Sequence, residues 1–86
     1  MKTERNYNQQ GLLKLMLKMP ALRGRLQIVS MRKPEMLNLC GAFEEASLTL
    51  ERLIRENDPL NRQQIEEYQN ICHEIEEEII AICYQE

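Results

Sequence analysis

Aromatic residues are scarce in this 86-residue chain, which has no tryptophan, one phenylalanine and three tyrosines. Glycine and proline are also few, with three of each. An all-β fold needs many tight turns, so this scarcity argues against one. No run of about 20 apolar residues occurs, so the sequence predicts no membrane-spanning segment. We therefore expect an all-α protein with a core of leucine, isoleucine and methionine.

The amino terminus lacks the apolar core of a signal peptide, because residues 1–10 are polar and show no periodicity. We expect these residues to be flexible and a single helical domain to span residues 11–86. The three cysteines, Cys40, Cys72 and Cys83, are odd in number and have no Cys-x-x-Cys spacing. Reduced and largely buried thiols are typical of a cytoplasmic protein, which is the location we expect.

Charge is distributed very unevenly along the chain. Residues 1–33 carry eight lysines and arginines against one glutamate, a net charge of +7. Residues 34–86 carry three arginines against thirteen acidic residues, a net charge of −10. This asymmetry predicts a basic amphipathic segment at residues 11–31 and an acidic remainder at 34–86.

The basic segment begins with a short predicted helix that ends at Pro20, because proline disfavours helix at the residue before it. Lys14 and Lys18 are four residues apart and share one face of this helix. Over residues 25–31, β-branched residues and weak alternation leave a strand and a continued helix equally open.

Two longer amphipathic helices are predicted at residues 34–56 and 59–85, with apolar residues recurring at steps of three and four. The last helix has an unbroken heptad stripe, as in coiled coils. Two helices joined by a few residues run antiparallel, as a helical hairpin. Because each stripe is wider than one partner covers, we expect a homodimer that forms a four-helix bundle. The expected core and dimer-interface residues are Met36, Leu39, Phe43, Leu50, Leu53, Ile65, Tyr68, Cys72, Ile75, Ile79 and Ile82.

The connection between these helices contains two alternative helix-capping signals. Asp58 can cap the second helix, with Pro59 at its first position. Asn61, with Gln64 three residues later, is a competing cap. Either cap starts the second helix within a few residues of the first.

The residues that could support chemistry do not form a complete site. His73, the only histidine, has Glu77 one turn away, a spacing that can hold a metal ion, but structural zinc needs four ligands. Cys72 and Cys83 lie about 16 Å apart along a helix, too far for a shared metal or a disulfide. We expect no metal, no cofactor and no enzymatic activity.

The basic third of the chain is the remaining candidate for a binding function. It can dock on the acidic remainder, contact a protein partner, or neutralise nucleic-acid phosphates or an anionic membrane. We favour a small helical protein–protein interaction module that acts as an adaptor, a regulator or a dedicated chaperone. The alternative is a small DNA-binding regulator or antitoxin-like protein, with residues 25–31 as a β-ribbon or arm. The candidate contacts to a partner or nucleic acid are Lys14, Lys18, Arg23, Arg25, Arg32 and Lys33.

Overall fold

The computed structural model describes residues 6–85. Over this range the chain forms four α-helices and no strand, which confirms the prediction of an all-α fold. Single turns of 3₁₀ helix at Pro20–Leu22 and Pro59–Asn61 connect α1 to α2 and α3 to α4. The helices are α1 (Tyr7–Lys18), α2 (Arg23–Arg32), α3 (Pro34–Glu56) and α4 (Arg62–Gln85).

Helix α1 begins four residues before the predicted start at residue 11. The side chain of Asn6 accepts a hydrogen bond of 3.0 Å from the backbone N–H of Gln9, which caps the helix. Residues 7–10, assigned to a flexible terminus from the sequence, are therefore helical. Residues 7–10 show no apolar periodicity, so the capping residue Asn6 was the only feature of the sequence that could have indicated a helix here. The rest of that predicted terminus, residues 1–5, lies outside the described residues.

Residues 25–31 are helical, so the choice between strand and helix is decided for helix. Leu26, Val29 and Ser30 form the buried face of α2. The hydroxyl of Ser30 donates a hydrogen bond of 2.9 Å to the backbone carbonyl of Gln27, one turn earlier. The buried hydroxyl is therefore satisfied within its own helix.

The predicted bounds of α3 are confirmed, with Pro34 at its first position and Asn57 as its C-cap in the left-handed conformation. Asp58 caps the 3₁₀ turn that precedes α4 and not α4 itself, since its carboxylate accepts a hydrogen bond of 3.0 Å from the Leu60 N–H and Pro59 is the first residue of that turn. The competing residue Asn61 instead donates its side-chain amide to Glu56 at 3.1 Å. Because of this turn, α4 begins at Arg62, three residues after the predicted start at residue 59.

Helix α3 is the central element of the fold. Helix α1 packs extensively along one side of it and α4 along another, while α2 contacts α1, α3 and α4. The basic segment therefore packs on the rest of the chain, one of the possibilities that its sequence left open. It contributes Leu12, Leu15, Leu26 and Val29 to the core. The other buried residues of the same core cluster are Met36, Cys40, Phe43, Ala46, Cys72, Ile79 and Cys83.

Gly11 lies directly against the backbone of α3. A Cβ atom at this position would overlap the backbone carbonyl of Cys40 and lie 3.2 Å from the Cβ atom of Glu44. A backbone carbonyl within a helix cannot rotate away as a side chain can. In contrast, a Cβ atom at Gly24 in α2 would meet no atom within 4 Å. Glycine at position 11 therefore sets the distance between α1 and α3.

The substitution Gly11→Ala should lower the free energy of unfolding by about 1–3 kcal/mol, the usual cost of overpacking, although alanine favours helix. The matched control Gly24→Ala should raise it by about 0.5–1 kcal/mol, because the new methyl group contacts nothing and the helix gains alanine. Urea denaturation followed by circular dichroism measures both values. Equal effects of the two substitutions would contradict the close approach of α1 to α3.

Candidate interaction surface

Lys14 of α1 forms a partly buried ion pair with α3. Its ammonium lies 2.8 Å from Oε1 of Glu44 and 3.4 Å from Oε2 of Glu51, and it donates a hydrogen bond of 2.9 Å to the Ser47 hydroxyl. The Glu44 side chain is only 4% exposed and that of Lys14 is 33% exposed. Glu44 could not be identified from the sequence, because one acid on a largely apolar helix face is not distinguishable from a surface acid.

Lys18 joins α1 to α4 through an ion pair with the carboxylate of Glu76. Its ammonium also lies 5.7 Å from the centre of the Phe43 ring, a cation–π contact. The Glu76 side chain is 14% exposed, so the contact is shielded from solvent on the acidic side. Both lysines of α1 therefore contact the acidic helices of their own chain.

Arg25 of α2 holds the carboxyl end of α4. Its Nη1 donates a hydrogen bond of 3.0 Å to the backbone carbonyl of Cys83, and its guanidinium lies 5.7 Å from the centre of the Tyr84 ring. A cation at this end of a helix is favoured by the helix dipole. Three of the six residues predicted to contact a partner or nucleic acid, Lys14, Lys18 and Arg25, thus bind within the chain.

The other three predicted contacts lie in or next to α2. Arg23 and Arg32 are exposed, and Lys33 is half-buried. Arg32 and Lys33 have interactions of their own within the chain. Arg23 lies beside an apolar groove on α1.

The pKa of Lys14 reflects opposing effects. Burial lowers it, while the hydrogen bond to Glu44 and the charges of Glu44 and Glu51 raise it by more, so the pKa lies above the ordinary value of 10.5. Lys14 is therefore fully charged at neutral pH.

The three cysteines are buried and free, as the sequence predicted. Burial, aided by the nearby Cys83, raises the pKa of Cys40 from 9.0 to about 11. Burial also raises the pKa values of Cys72 and Cys83. Neutral thiols are poor nucleophiles, so these side chains serve as small core residues.

His73 and Glu77 lie on the solvent side of α4. The His73 Nε2 is 3.3 Å from Oε2 of Glu77, and the two side chains are 70% and 66% exposed. Within residues 6–85 there is no group of three or more His, Cys, Asp or Glu side chains that could hold a metal ion. Over the same range no helix combines the length and the apolar character needed to cross a bilayer.

The residues predicted for the core and dimer interface divide into two groups. Five are buried within the chain: Met36, Phe43, Leu53, Cys72 and Ile79. Six are half-buried: Leu39, Leu50, Ile65, Tyr68, Ile75 and Ile82.

One row of α4 side chains is only partly covered by the rest of the chain. The half-buried Tyr68, Ile75 and Ile82 lie at steps of seven, and Ile71, which is 39% exposed, extends the row toward solvent. We call these four residues the α4 flank. Glu67, Glu74 and Glu78 are exposed and lie one or two turns from Ile71, so they border the flank.

The outward side of α1 carries two exposed leucines. Leu13 and Leu17, one turn apart, are 55% and 75% exposed. Together with Met16 and Arg23 they line a groove of about 340 Å³, which we call the α1 groove. The sequence did not separate Leu13 and Leu17 from the buried Leu12 and Leu15, because apolar residues occur all around this segment.

Helix α2 exposes two further apolar side chains. Ile28 is 50% and Met31 is 81% exposed. We call these two residues the α2 ridge. Arg25 and Arg32 lie beside Ile28 and line a smaller groove with it. The α2 ridge is therefore an apolar surface with basic neighbours.

The Lys14–Glu44 pair should contribute measurably to stability. Lys14→Met removes the cation next to a buried carboxylate and should lower the free energy of unfolding by about 2–3 kcal/mol, less than for a fully buried pair because Lys14 is partly exposed. The double variant Lys14→Met/Glu44→Gln should recover most of this loss. In the control, Arg52→Met breaks the exposed 3.2 Å pair with Glu56 and should cost about 0–1 kcal/mol. Equal losses for Lys14→Met and Arg52→Met would refute the buried pair.

Stability should decrease at alkaline pH. The folded-state pKa values of Lys14 and of the three cysteines are raised. A raised pKa contributes stability that is complete below the unfolded-state pKa and is lost as pH rises through the folded-state pKa. For Cys40 this window runs from 9.0 to about 11. Urea denaturation at several pH values should show this loss, and Cys40→Ala should make it shallower. Unchanged stability across the window would contradict the burial of these groups.

Among the described residues, several cations of the basic segment thus bind within the chain, whereas several apolar side chains are exposed. The cations Lys14, Lys18 and Arg25 hold the helices together, and the α1 groove, the α4 flank and the α2 ridge leave apolar side chains on the surface. No protein-family model, no curated protein and no solved structure matches this chain.

Proposed function

We propose that this chain is a small helical protein–protein interaction module, acting as an adaptor, a regulator or a dedicated chaperone. One observation carries the proposal: the basic segment turns Lys14 and Lys18 toward α3 and α4 and turns Leu13 and Leu17 toward solvent. The free energy falls when another protein covers exposed leucines and removes their apolar surface from water. Affinity would come from this burial, and the uneven distribution of charge along the chain would orient the partner.

The proposal includes an antiparallel hairpin of α3 and α4. Leu50 and Cys72 line one cavity, and Ile54 and Ile65 line another nearer the connection. Residues later in α3 are thus next to residues earlier in α4, which supports opposite directions for the two helices.

The proposal also includes a homodimer. The α4 flank is half-covered within one chain, and each isoleucine that becomes fully buried contributes about 1.5–3 kcal/mol. Helix α1 already covers much of α3. The surface left for a second copy is therefore smaller than the two full stripes expected from the sequence, and it includes the α4 flank.

The alternative, a DNA-binding or antitoxin-like regulator, has less support. A nucleic-acid contact needs cations that can reach phosphates. Lys14 and Lys18 instead lie against carboxylates of their own chain. The alternative also assigned a ribbon or arm to residues 25–31, which are helical. Arg23 and Arg32 remain exposed.

Sedimentation equilibrium of the purified protein, alone and with a short random DNA duplex at low salt, tests the proposal. We expect a dimer whose mass does not change when DNA is added, because the α1 lysines are paired with carboxylates. A monomer would contradict the dimer. A DNA complex that dissociates as salt rises would support the regulator, since phosphate contacts weaken steeply with salt. Charge reversal of Arg23 and Arg32 should abolish such a complex if it forms.

A further inference from the structure

The residues that line the α1 groove carry no negative charge. Leu13, Met16 and Leu17 supply its apolar surface, and Arg23 borders it. No acidic residue occurs between positions 6 and 33. A partner that fills this groove is therefore favoured if it presents apolar side chains bordered by carboxylates.

The α4 flank of the same chain has this chemistry. Its apolar row is bordered by the exposed Glu67, Glu74 and Glu78. No lysine or arginine occurs between residues 63 and 86. The groove and the flank thus combine similar apolar character with opposite charge.

Pairing each surface with itself is electrostatically unfavourable. Two α4 flanks facing each other would bring two rows of glutamates together, and like charges across an interface oppose association. Two α1 grooves facing each other would likewise bring two copies of Arg23 together, and neither groove has an acid in its lining to neutralise them. Pairing groove with flank matches apolar with apolar surface and arginine with glutamate.

We propose that the α1 groove is the docking site for the α4 flank of a second copy of this chain. The inference rests on the proposed function, because it names the partner and the surfaces of its dimer. In a two-fold dimer the contact occurs twice, which doubles the buried area. The α2 ridge, Ile28 and Met31, takes no part in this contact and stays available to a different protein.

Charge reversal across the two surfaces tests the inference by sedimentation equilibrium. Arg23→Glu and the triple variant Glu67→Arg/Glu74→Arg/Glu78→Arg should each weaken the dimer about tenfold or more. Their combination should restore dimerisation to within about threefold of the original chain, because the charges are again opposite. Arg55→Glu, on an exposed position of α3, is the control and should leave the dimer unchanged.

Leu17→Ser tests the apolar part of the contact. Because the Leu17 side chain is 75% exposed in one chain, this substitution should weaken the dimer about tenfold, while the monomer stays folded with only the small loss that the lower helix propensity of serine causes. Leu60→Ser is the matched control, since Leu60 is 88% exposed at the α3–α4 connection. It should leave the dimer unchanged.

The outcomes separate this inference from the proposed function. A dimer that tolerates Leu17→Ser and both charge reversals leaves the interaction module standing and overturns the docking of flank in groove. A failure of the combined charge reversal to restore the dimer also overturns it. Growth into larger oligomers overturns the reciprocal two-fold arrangement. A monomeric original chain contradicts both this inference and the dimer of the proposed function.

Discussion

The close approach of α1 to α3 is the contact on which the rest of the structure depends. Gly11 lets the backbones of the two helices come together, and one turn later Lys14 reaches the buried carboxylate of Glu44. An isolated helix of twelve residues is marginal in water, so α1 owes its stability to this packing. With α1 in place, Leu12 and Leu15 enter the core, and Lys18 extends the contact to Glu76 of α4.

The same contact determines which side chains of the basic segment are paired within the chain and which are exposed to other molecules. Its lysines neutralise acids of α3 and α4, so the large opposite charges of the two parts of the chain are partly compensated within the molecule. Its outward side is leucine-rich and its second helix exposes Ile28 and Met31. A segment that its sequence presents as a candidate for binding phosphates thus also offers apolar surface to its surroundings.

Much of the fold follows from local rules that a sequence displays. Proline at position 34 and the stop at Asn57 depend on neighbouring residues only, and these predictions are confirmed. The predicted Asp58 cap also forms, but on the 3₁₀ turn before α4. For residues 25–31 the sequence could not distinguish a helix from a strand, because Leu26 and Val29 are buried by contacts with other helices, α1 and α3. The importance of Gly11 and Glu44 could not be predicted either, because both residues act at the contact between α1 and α3, which are distant in sequence. The division of the α1 leucines into buried and exposed also depends on the direction from which α3 approaches.

Native-state hydrogen exchange of the α1 backbone amides tests most directly whether the basic segment is docked on the rest of the chain. The amides of Leu15 to Lys18 should exchange with a free energy of opening close to that of the central amides of α3, since α1 cannot be helical without its packing. Exchange of these α1 amides near the rate of an unstructured peptide, with α3 and α4 still protected, would contradict the account. The basic segment would then be free to bind elsewhere.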